Sequence, residues 1–218
     1  MVQGVLFDMD GLMFDTERLC VRAWHKVAAE ENLPITEEMF IRMTGVNKAT
    51  GDAILHEIYG ADFDVDAMEE KVAGVMMREI AQSGMPLKPG LRELLSDLQR
   101  QGVRMALATS TARARAAEYL HRAEVRSYFS EFATGDEVQH GKPAPDIFLL
   151  GVHRLGVLPQ HTLVLEDSAN GLLAAQAAGL RCICVPDMVT PPQEVLRTAV
   201  AVLPSLYEVA GWIRKDNE

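Results

Sequence analysis

Five short apolar runs, separated by polar loops and helix-like segments, limit what this chain can fold into more than any other feature of its sequence. The first run, Gly4 to Phe7, ends abruptly at Asp8. The other four cover residues 103–108, 132–133, 163–165 and 182–185. Short, continuously apolar runs are typical of strands that are buried on both faces, as in a parallel sheet covered by helices.

The segments between these runs carry helix start and stop signals. Residues 91–101 follow a Pro-Gly pair and end at Gly102, residues 145–155 begin with proline and end at Gly156, and residues 172–178 end at Gly179. Glycine just beyond the last turn is a common helix stop. Alternating strands and helices predict an α/β fold, with a Rossmann-like core built on a doubly wound parallel sheet.

One region lacks convincing strand runs. Between residues 16 and 82, apolar residues at helical spacing predict helices over 19–30, 37–43, 49–59 and 66–80. We therefore predict two domains. Residues 1–15 and 83–218 form the Rossmann-like core, and residues 16–82 form an all-helical domain inserted after the first strand.

Charge and composition narrow the possible partners. The chain has 21 basic and 31 acidic residues, a formal net charge of −10, which disfavours nucleic acid and anionic membranes as partners. A small phosphorylated metabolite remains compatible, because a local pocket can be cationic. The three cysteines suggest neither a disulfide framework nor a zinc site, and no run is long enough to span a bilayer. We expect a soluble, cytoplasmic protein, monomeric by default, with disorder confined to the tail at residues 215–218.

Polar side chains follow the predicted strands at their carboxyl ends, which is where open parallel sheets bind ligands. The residues so placed are Asp8 and Asp10 after the first run, Thr109 and Ser110 after the second, Glu166 and Asp167 after the fourth, and Lys142 in the loop before the helix at 145–155.

These residue types meet the needs of phosphoryl transfer. Mg²⁺ prefers carboxylates together with phosphate oxygens, and Asp8, Asp167 and Glu166 can supply the carboxylates. Lys142 and the Thr109 hydroxyl can stabilise the charged phosphate oxygens. Asp8 would then be the nucleophile that attacks phosphorus.

Asp10 fits a second role, because a carboxylic acid two residues from the nucleophile can protonate the leaving oxygen and later deprotonate water.

Each feature alone also has a simpler interpretation. The aspartates can be a polar strand end, Lys142 a solvated loop lysine, residues 166–167 an acid pair at a helix start, and residues 109–111 an N-cap cluster. Their joint occurrence at successive strand ends favours catalysis.

Four stretches carry a family resemblance. They are residues 8–17 (DMDGLMFDTE), 106–110 (ALATS), 141–148 (GKPAPDIF) and 165–171 (LEDSANG). In this order they resemble the motifs of the haloacid dehalogenase-like hydrolases, in the helical-cap phosphatase and β-phosphoglucomutase-like branch. The resemblance covers essentially the whole chain. It implies a Rossmann-like core, a cap formed by the inserted helices, and an aspartyl-phosphate on Asp8. It also implies Mg²⁺ bound by Asp8, the main-chain oxygen of Asp10, and Asp167, with Glu166 assisting.

Within this superfamily, an aspartate at the position of Asp10 implies a phosphatase or a phosphomutase. Cys20 stands where the mutase carries a histidine, and Lys71 does not clearly match the mutase's cap lysine, so the mutase is the alternative. A non-catalytic binding module is a further alternative. Residues 137–143 and 185–187 resemble pseudouridine 5′-phosphate phosphatases. We therefore predict a Mg²⁺-dependent phosphatase that acts on a sugar phosphate or a nucleoside monophosphate.

The family's substrate-specificity loop corresponds here to residues 44–48. Its candidate substrate contacts are Gly45, Val46, Asn47 and Lys48. A glycine-marked turn between two cap helices is an equally good interpretation of this loop. Arg18 and Arg22, on the first cap helix, are other possible contacts, but we expect them to be solvated.

Overall fold

The protein, described by a computed structural model over residues 1–43 and 48–217, is built on a six-stranded parallel sheet. Along the sheet the strand order is β3-β2-β1-β4-β5-β6. This is the predicted Rossmann-like α/β fold. The strands are β1 (Gly4–Phe7), β2 (Arg104–Thr109), β3 (Glu131–Thr134), β4 (Thr162–Glu166), β5 (Arg181–Cys184) and β6 (Ala201–Val202).

Helices occupy the connections between the strands. Those of the inserted region are α1 (Thr16–Glu31), α2 (Glu37–Met43), α3 (Lys48–Tyr59) and α4 (Val65–Ser83). The remaining α-helices of the described chain are α5 (Leu91–Arg100), α6 (Arg113–Arg122), α7 (Asp146–Leu155), α8 (Ala169–Ala177), α9 (Gln193–Leu196) and α10 (Leu206–Asn217).

Both faces of the sheet are buried, as the continuous apolar runs predict. Successive side chains of a strand point to opposite faces. Val5 and Phe7 accordingly belong to one hydrophobic cluster, and Leu6 belongs to the other. Cys182 and Cys184 share the second cluster, so they face the same side of β5. Since β1 pairs with β2 on one side and β4 on the other, its carboxyl end lies in the middle of the sheet edge.

The inserted region is helical, as predicted. Trp24 and Val27 of α1 and Val72 and Val75 of α4 are buried in the same hydrophobic cluster. Apolar residues at helical spacing therefore give both helices a buried face.

Two linkers join this region to the sheet, and we define them as residues 13–15 and 86–88. They pair with each other: the Asp15 amide donates to the Pro86 carbonyl oxygen (2.9 Å) and the Lys88 amide donates to the Met13 carbonyl oxygen (2.9 Å). An isolated antiparallel bridge joins Phe14 and Leu87 between these bonds. The helical region therefore leaves the sheet and returns to it at one point.

The prediction of a disordered tail is wrong for the described residues. Helix α10 extends to Asn217, whose side-chain oxygen accepts a hydrogen bond from the Val2 amide (2.6 Å). Asp216 forms a bidentate ion pair with Arg181 (2.9 and 2.5 Å). These partners fix a charged segment whose sequence alone predicts solvation. No helix within residues 1–43 and 48–217 has the length and apolar character needed to cross a membrane.

Candidate active site

Lys142 is buried between two carboxylates at the carboxyl edge of the sheet. Its ammonium nitrogen lies 2.5 Å from Asp8 Oδ1 and 2.6 Å from Glu166 Oε1, and it also donates to the Ala108 carbonyl oxygen (3.3 Å). The ring of Phe148 lies beneath it, with the centroid 5.0 Å from Nζ. The interpretation of Lys142 as a solvated loop lysine is therefore wrong.

Glu166, the last residue of β4, is fully buried and is held by several donors. Besides Lys142, its carboxylate accepts hydrogen bonds from the amides of Asp167 (2.9 Å) and Ser168 (3.0 Å) and from the Ser168 hydroxyl (3.0 Å). Gly171, in the first turn of α8, faces this carboxylate closely, because a Cβ built there would lie 1.9 Å from it. Glu166 thus contacts both the Lys142 ammonium and the backbone amide of Asp167.

Asp8, Glu166 and Asp167 form an acidic cluster that fits a divalent cation. Each contributes a carboxylate oxygen, and these oxygens lie within 4.8 Å of one another. Gly11 has φ +82°, and a Cβ there would come within 2.2 Å of Asp167 Oδ2, so the turn after Asp10 needs a glycine for two reasons. Oxygen donors in this number suit Mg²⁺.

The electrostatics of the cluster also favour the binding of a cation. Burial raises the pKa of Asp8 to about 8; Lys142 opposes this shift, whereas Glu166 and Asp10 add to it. Burial likewise raises the pKa of Asp167, with the charges of Glu166 and Asp8 adding to the effect. For Lys142, burial alone would lower the pKa, but the charges of Asp8 and Glu166 outweigh it and raise the pKa. One ammonium faces three carboxylates, and a bound cation would favour their ionised forms.

Asp10 is held by two hydroxyl groups. Thr16, the first residue of α1, donates to Asp10 Oδ1 (2.7 Å), and Thr111 donates to Asp10 Oδ2 (2.7 Å). A hydroxyl can donate or accept, so both threonines can keep their contact when Asp10 gains or loses a proton. With its carboxylate engaged in this way, Asp10 can contribute to a metal site through its main-chain oxygen, as the family resemblance implies.

The structure brings Thr109 and Ser110 to the same edge of the sheet. Thr109 is buried, and its hydroxyl accepts a hydrogen bond from the Thr111 amide (3.1 Å). Ser110 is exposed and lines the cavity described below. The N-cap interpretation of this stretch is wrong, because α6 is capped at Ala112 without a side-chain hydrogen bond.

A cavity of about 400 Å³ opens onto these groups. Its lining includes two acidic residues that sequence reasoning did not identify as site residues, Glu17 and Asp187. Burial raises the pKa of Glu17 to about 7, and the charges of Asp10 and Asp187 add to this shift. Glu17 could have been found as the last residue of the first motif stretch. The rest of the lining comprises Asp8, Asp10, Met43, Thr109, Ser110, Thr111, Lys142, Asp167, Ser168, Ala169, Asn170, Met188, Val189, Pro191 and Pro192.

The predicted contacts in the cap stay untested for the most part. Gly45, Val46 and Asn47 lie outside the described residues. Lys48 is described, and its ammonium contacts three carboxylates of the helical region rather than the cavity lining; they belong to Asp52 (3.2 Å), Asp66 (3.0 Å) and Glu69 (2.9 Å).

The two arginines of α1 differ in their contacts. Arg22 lies 3.5 Å from Glu79 on α4. Arg18 binds Asp15 (2.8 Å) and Asp187 (2.7 Å), and half of its side chain is exposed. Arg18 is exposed, as expected, and it also forms two ion pairs, one of them with the cavity residue Asp187.

Comparison with known proteins agrees with this geometry. Residues 2–179 match the family model described as haloacid dehalogenase-like hydrolase. A phosphorylated carbohydrates phosphatase of Thermotoga maritima is 36% identical over 84% of this chain and 84% of its own length. A Drosophila melanogaster protein, provisionally named pseudouridine-5′-phosphatase, is 35% identical over 95% of this chain and 91% of its own. Among solved structures, a Thermotoga maritima protein provisionally assigned as a beta-phosphoglucomutase superimposes with a TM-score of 0.81. It is 32% identical, and the match covers 98% of this chain and 99% of that one.

Proposed function

The chain belongs to the haloacid dehalogenase-like hydrolase family, and from this premise we propose that it hydrolyses a small phosphomonoester through an aspartyl-phosphate on Asp8. It is a phosphoric monoester hydrolase, as its named relatives are. The observation that carries the proposal is the buried contact of Lys142 with Asp8 (2.5 Å) and Glu166 (2.6 Å) at the floor of the cavity. It provides a nucleophile and a fixed positive charge at one point.

Each step of the proposed reaction has a residue of this chain to perform it. A carboxylate oxygen of Asp8 attacks phosphorus, the bond from phosphorus to the ester oxygen breaks, and Asp10 donates a proton to the departing oxygen. Lys142 stabilises the negative charge on the phosphoryl oxygens, together with groups of residues 109–110. Asp10 then accepts a proton from water as that water attacks the phosphorus of the acyl-phosphate. Inorganic phosphate leaves, and Asp8 returns as a carboxylate.

Mg²⁺ would be held by Asp8, Asp167 and the main-chain oxygen of Asp10. Glu166 would keep Lys142 and the backbone of Asp167 oriented. When bound, Mg²⁺ offsets the excess of carboxylates and gives the anionic phosphate a positive partner. Glu166 already accepts four hydrogen bonds from the protein. Its orienting role is therefore independent of any direct contact with the ion.

For the substrate we propose a sugar phosphate or a nucleoside monophosphate. One relative is named for phosphorylated carbohydrates and another for pseudouridine 5′-phosphate, and a cavity of about 400 Å³ admits esters of this size. The cap residues 45–47 would contact the part of the substrate that leaves.

The first test is phosphate release from a panel of phosphomonoesters, with Mg²⁺ and with a chelator. The panel contains hexose phosphates, nucleoside monophosphates, pseudouridine 5′-phosphate and β-glucose 1-phosphate, and the Asp8→Asn variant is the control. We expect Mg²⁺-dependent release by the wild type and none by Asp8→Asn, and an alkali-labile phosphoenzyme only in the wild type. Activity retained by Asp8→Asn would remove Asp8 as the nucleophile.

The same panel tests the phosphomutase alternative. Conversion of β-glucose 1-phosphate to the 6-phosphate without phosphate release would favour the mutase. Two observations disfavour it. The Cys20 thiol is a poor replacement for a histidine, since burial, aided by the charges of Glu17 and Asp10, raises its pKa to about 12. Lys71 pairs with Glu31 and does not line the cavity.

A further inference from the structure

Asp187 is a buried carboxylate that follows β5 and has no place in the reaction described above. Its side chain is only 3% exposed, and Oδ1 accepts hydrogen bonds from Arg18 (2.7 Å) and Lys88 (2.5 Å). Oδ2 is also buried and has no hydrogen-bond partner among residues 1–43 and 48–217. A buried anion needs compensation, and here it comes from these two cations.

The two cations come from the two connections between the helical region and the sheet. Lys88 belongs to the second linker, and Arg18 lies in the first turn of α1, directly after the first linker. The Lys88 side chain is 14% exposed and the Arg18 side chain 47% exposed. Asp187 therefore contacts both connections between the helical region and the sheet. Its contact with Lys88 is buried, and its contact with Arg18 is exposed.

The exposed contact lies in the same helical turn as the group that holds Asp10. Thr16, two residues before Arg18, donates its hydroxyl to Asp10 Oδ1 (2.7 Å). Glu17, between them, lines the cavity. A helical turn is stiff because its backbone hydrogen bonds fix neighbouring residues together. A contact that restrains the backbone of Arg18 therefore also restrains the position of Thr16 in the same turn.

We propose that Asp187 is a positioning residue, which through Arg18 sets the first turn of α1 so that Thr16 holds Asp10 in place to protonate the leaving group. This inference rests on the proposed function, because it assigns a role in the step that Asp10 performs. The proposed reaction gives Asp187 no chemical step of its own, and the donors to its carboxylate are Arg18 and Lys88. Its effect would reach Asp10 through Arg18 and the first turn of α1.

The role predicts a dependence on the leaving group. An alkyl phosphate needs a proton on its departing oxygen, whereas 4-nitrophenyl phosphate releases a stabilised phenolate that needs none. A displaced Asp10 should therefore slow the first ester and spare the second. The measurement is kcat/KM, which reports the steps up to release of the leaving group, for 4-nitrophenyl phosphate and for the alkyl ester of the panel that the wild type hydrolyses fastest.

The decisive variant is Arg18→Ala, because it removes the exposed partner and leaves the buried Lys88 contact in place. We expect kcat/KM for the alkyl ester to fall by about fivefold to tenfold, mainly in kcat, since small displacements of catalytic groups are costly. For 4-nitrophenyl phosphate the loss should be less than about twofold. Arg18→Lys, which keeps the charge, should recover part of the loss.

The matched control is Arg22→Ala. Arg22 lies one turn further along α1, is similarly exposed, and pairs with Glu79 inside the helical region. It should leave both rates within about twofold of the wild type. Asp187→Asn weakens the contacts with both Arg18 and Lys88, so it should slow the alkyl ester at least as much as Arg18→Ala. The double variant should lose less than the sum of the two single losses, because both changes break the pair of Arg18 and Asp187. If Asp187→Asn does not fold, the comparison of Arg18→Ala with Arg22→Ala still tests the proposal.

Two results would overturn the proposal. The first is that Arg18→Ala behaves like Arg22→Ala, which would return Arg18 to an ordinary surface ion pair. An equal loss with both esters would show a general distortion of the site instead of a displaced Asp10. Both results are distinct from failure of the proposed function, which would appear as absent hydrolysis by the wild type or as activity in Asp8→Asn.

Discussion

In a chelator, the stability of the protein should fall as the pH rises. Burial raises the pKa of Asp8 from 3.8 to about 8, whereas the unfolded chain keeps the ordinary value. Between these two values the folded protein binds more protons than the unfolded one. By linkage, the free energy of unfolding then decreases with increasing pH.

The size of the effect follows from this shift. For one carboxyl group with these two pKa values, the free energy of unfolding falls by about 2 kcal/mol between about pH 6 and about pH 8. A protein of this length loses roughly 2–4 °C of Tm for each kcal/mol, so Tm should fall by roughly 4–8 °C. Glu17, whose pKa burial raises to about 7, and Asp167 act in the same direction.

The assay is thermal unfolding across this pH range, in chelator and in excess Mg²⁺. Mg²⁺ should remove most of the pH dependence, because the cation keeps the carboxylates ionised in the folded state. Asp8→Asn should reduce the slope in chelator. Asp97→Asn should leave this slope unchanged, because Asp97 pairs with Arg214 away from the cavity. A Tm in chelator that stays level or rises, or an unchanged slope in Asp8→Asn, would refute the reasoning.

Three further substitutions test separate parts of the site. Asp10→Asn should slow both formation and breakdown of the phosphoenzyme, which rapid-quench kinetics would resolve; wild-type rates would remove Asp10 from acid–base catalysis. Lys142→Ala should lower kcat by about 10²- to 10³-fold, the usual loss of an oriented charge-stabilising donor, and steady-state assays that find no loss would return Lys142 to a structural role. Gly171→Ala should lower Tm and activity together because its Cβ would lie 1.9 Å from the Glu166 carboxyl group, whereas Gly141→Ala, with nothing within 4 Å of its Cβ, should be tolerated.

The fold could be predicted because its longer strands are visible in the sequence as short apolar runs. The run from Gly4 to Phe7 is continuous and ends at a charged residue, and β1 has the same limits. Strand β6 has two residues, too few for any pattern. Helix α10 escaped prediction because its last residues are polar, and their order depends on Arg181 and Val2, which are distant in sequence.

Part of the candidate site could likewise be predicted from the sequence, and part could not. The rule that ligands bind at the carboxyl ends of parallel strands was enough to locate Asp8, Lys142 and Asp167 from sequence. The hydroxyl that Thr111 offers to Asp10 was not predictable, because it spans 101 residues. Nor was the contact between Arg18 and Asp187, which spans 169 residues. Such contacts follow from the completed fold and leave no local pattern.

The position of β1 in the sheet has a consequence for how the protein is made. Its partner strands begin at Arg104 and Thr162, so β1 leaves the ribosome long before either of them. Contacts so far apart in sequence form late, because a long loop must first be closed. Helices α1–α4 can meanwhile pack on one another. We therefore expect the nascent chain to carry a partly folded helical region and an apolar strand that lacks at least one of its partners, for which chaperones have affinity, until residue 166 has left the ribosome.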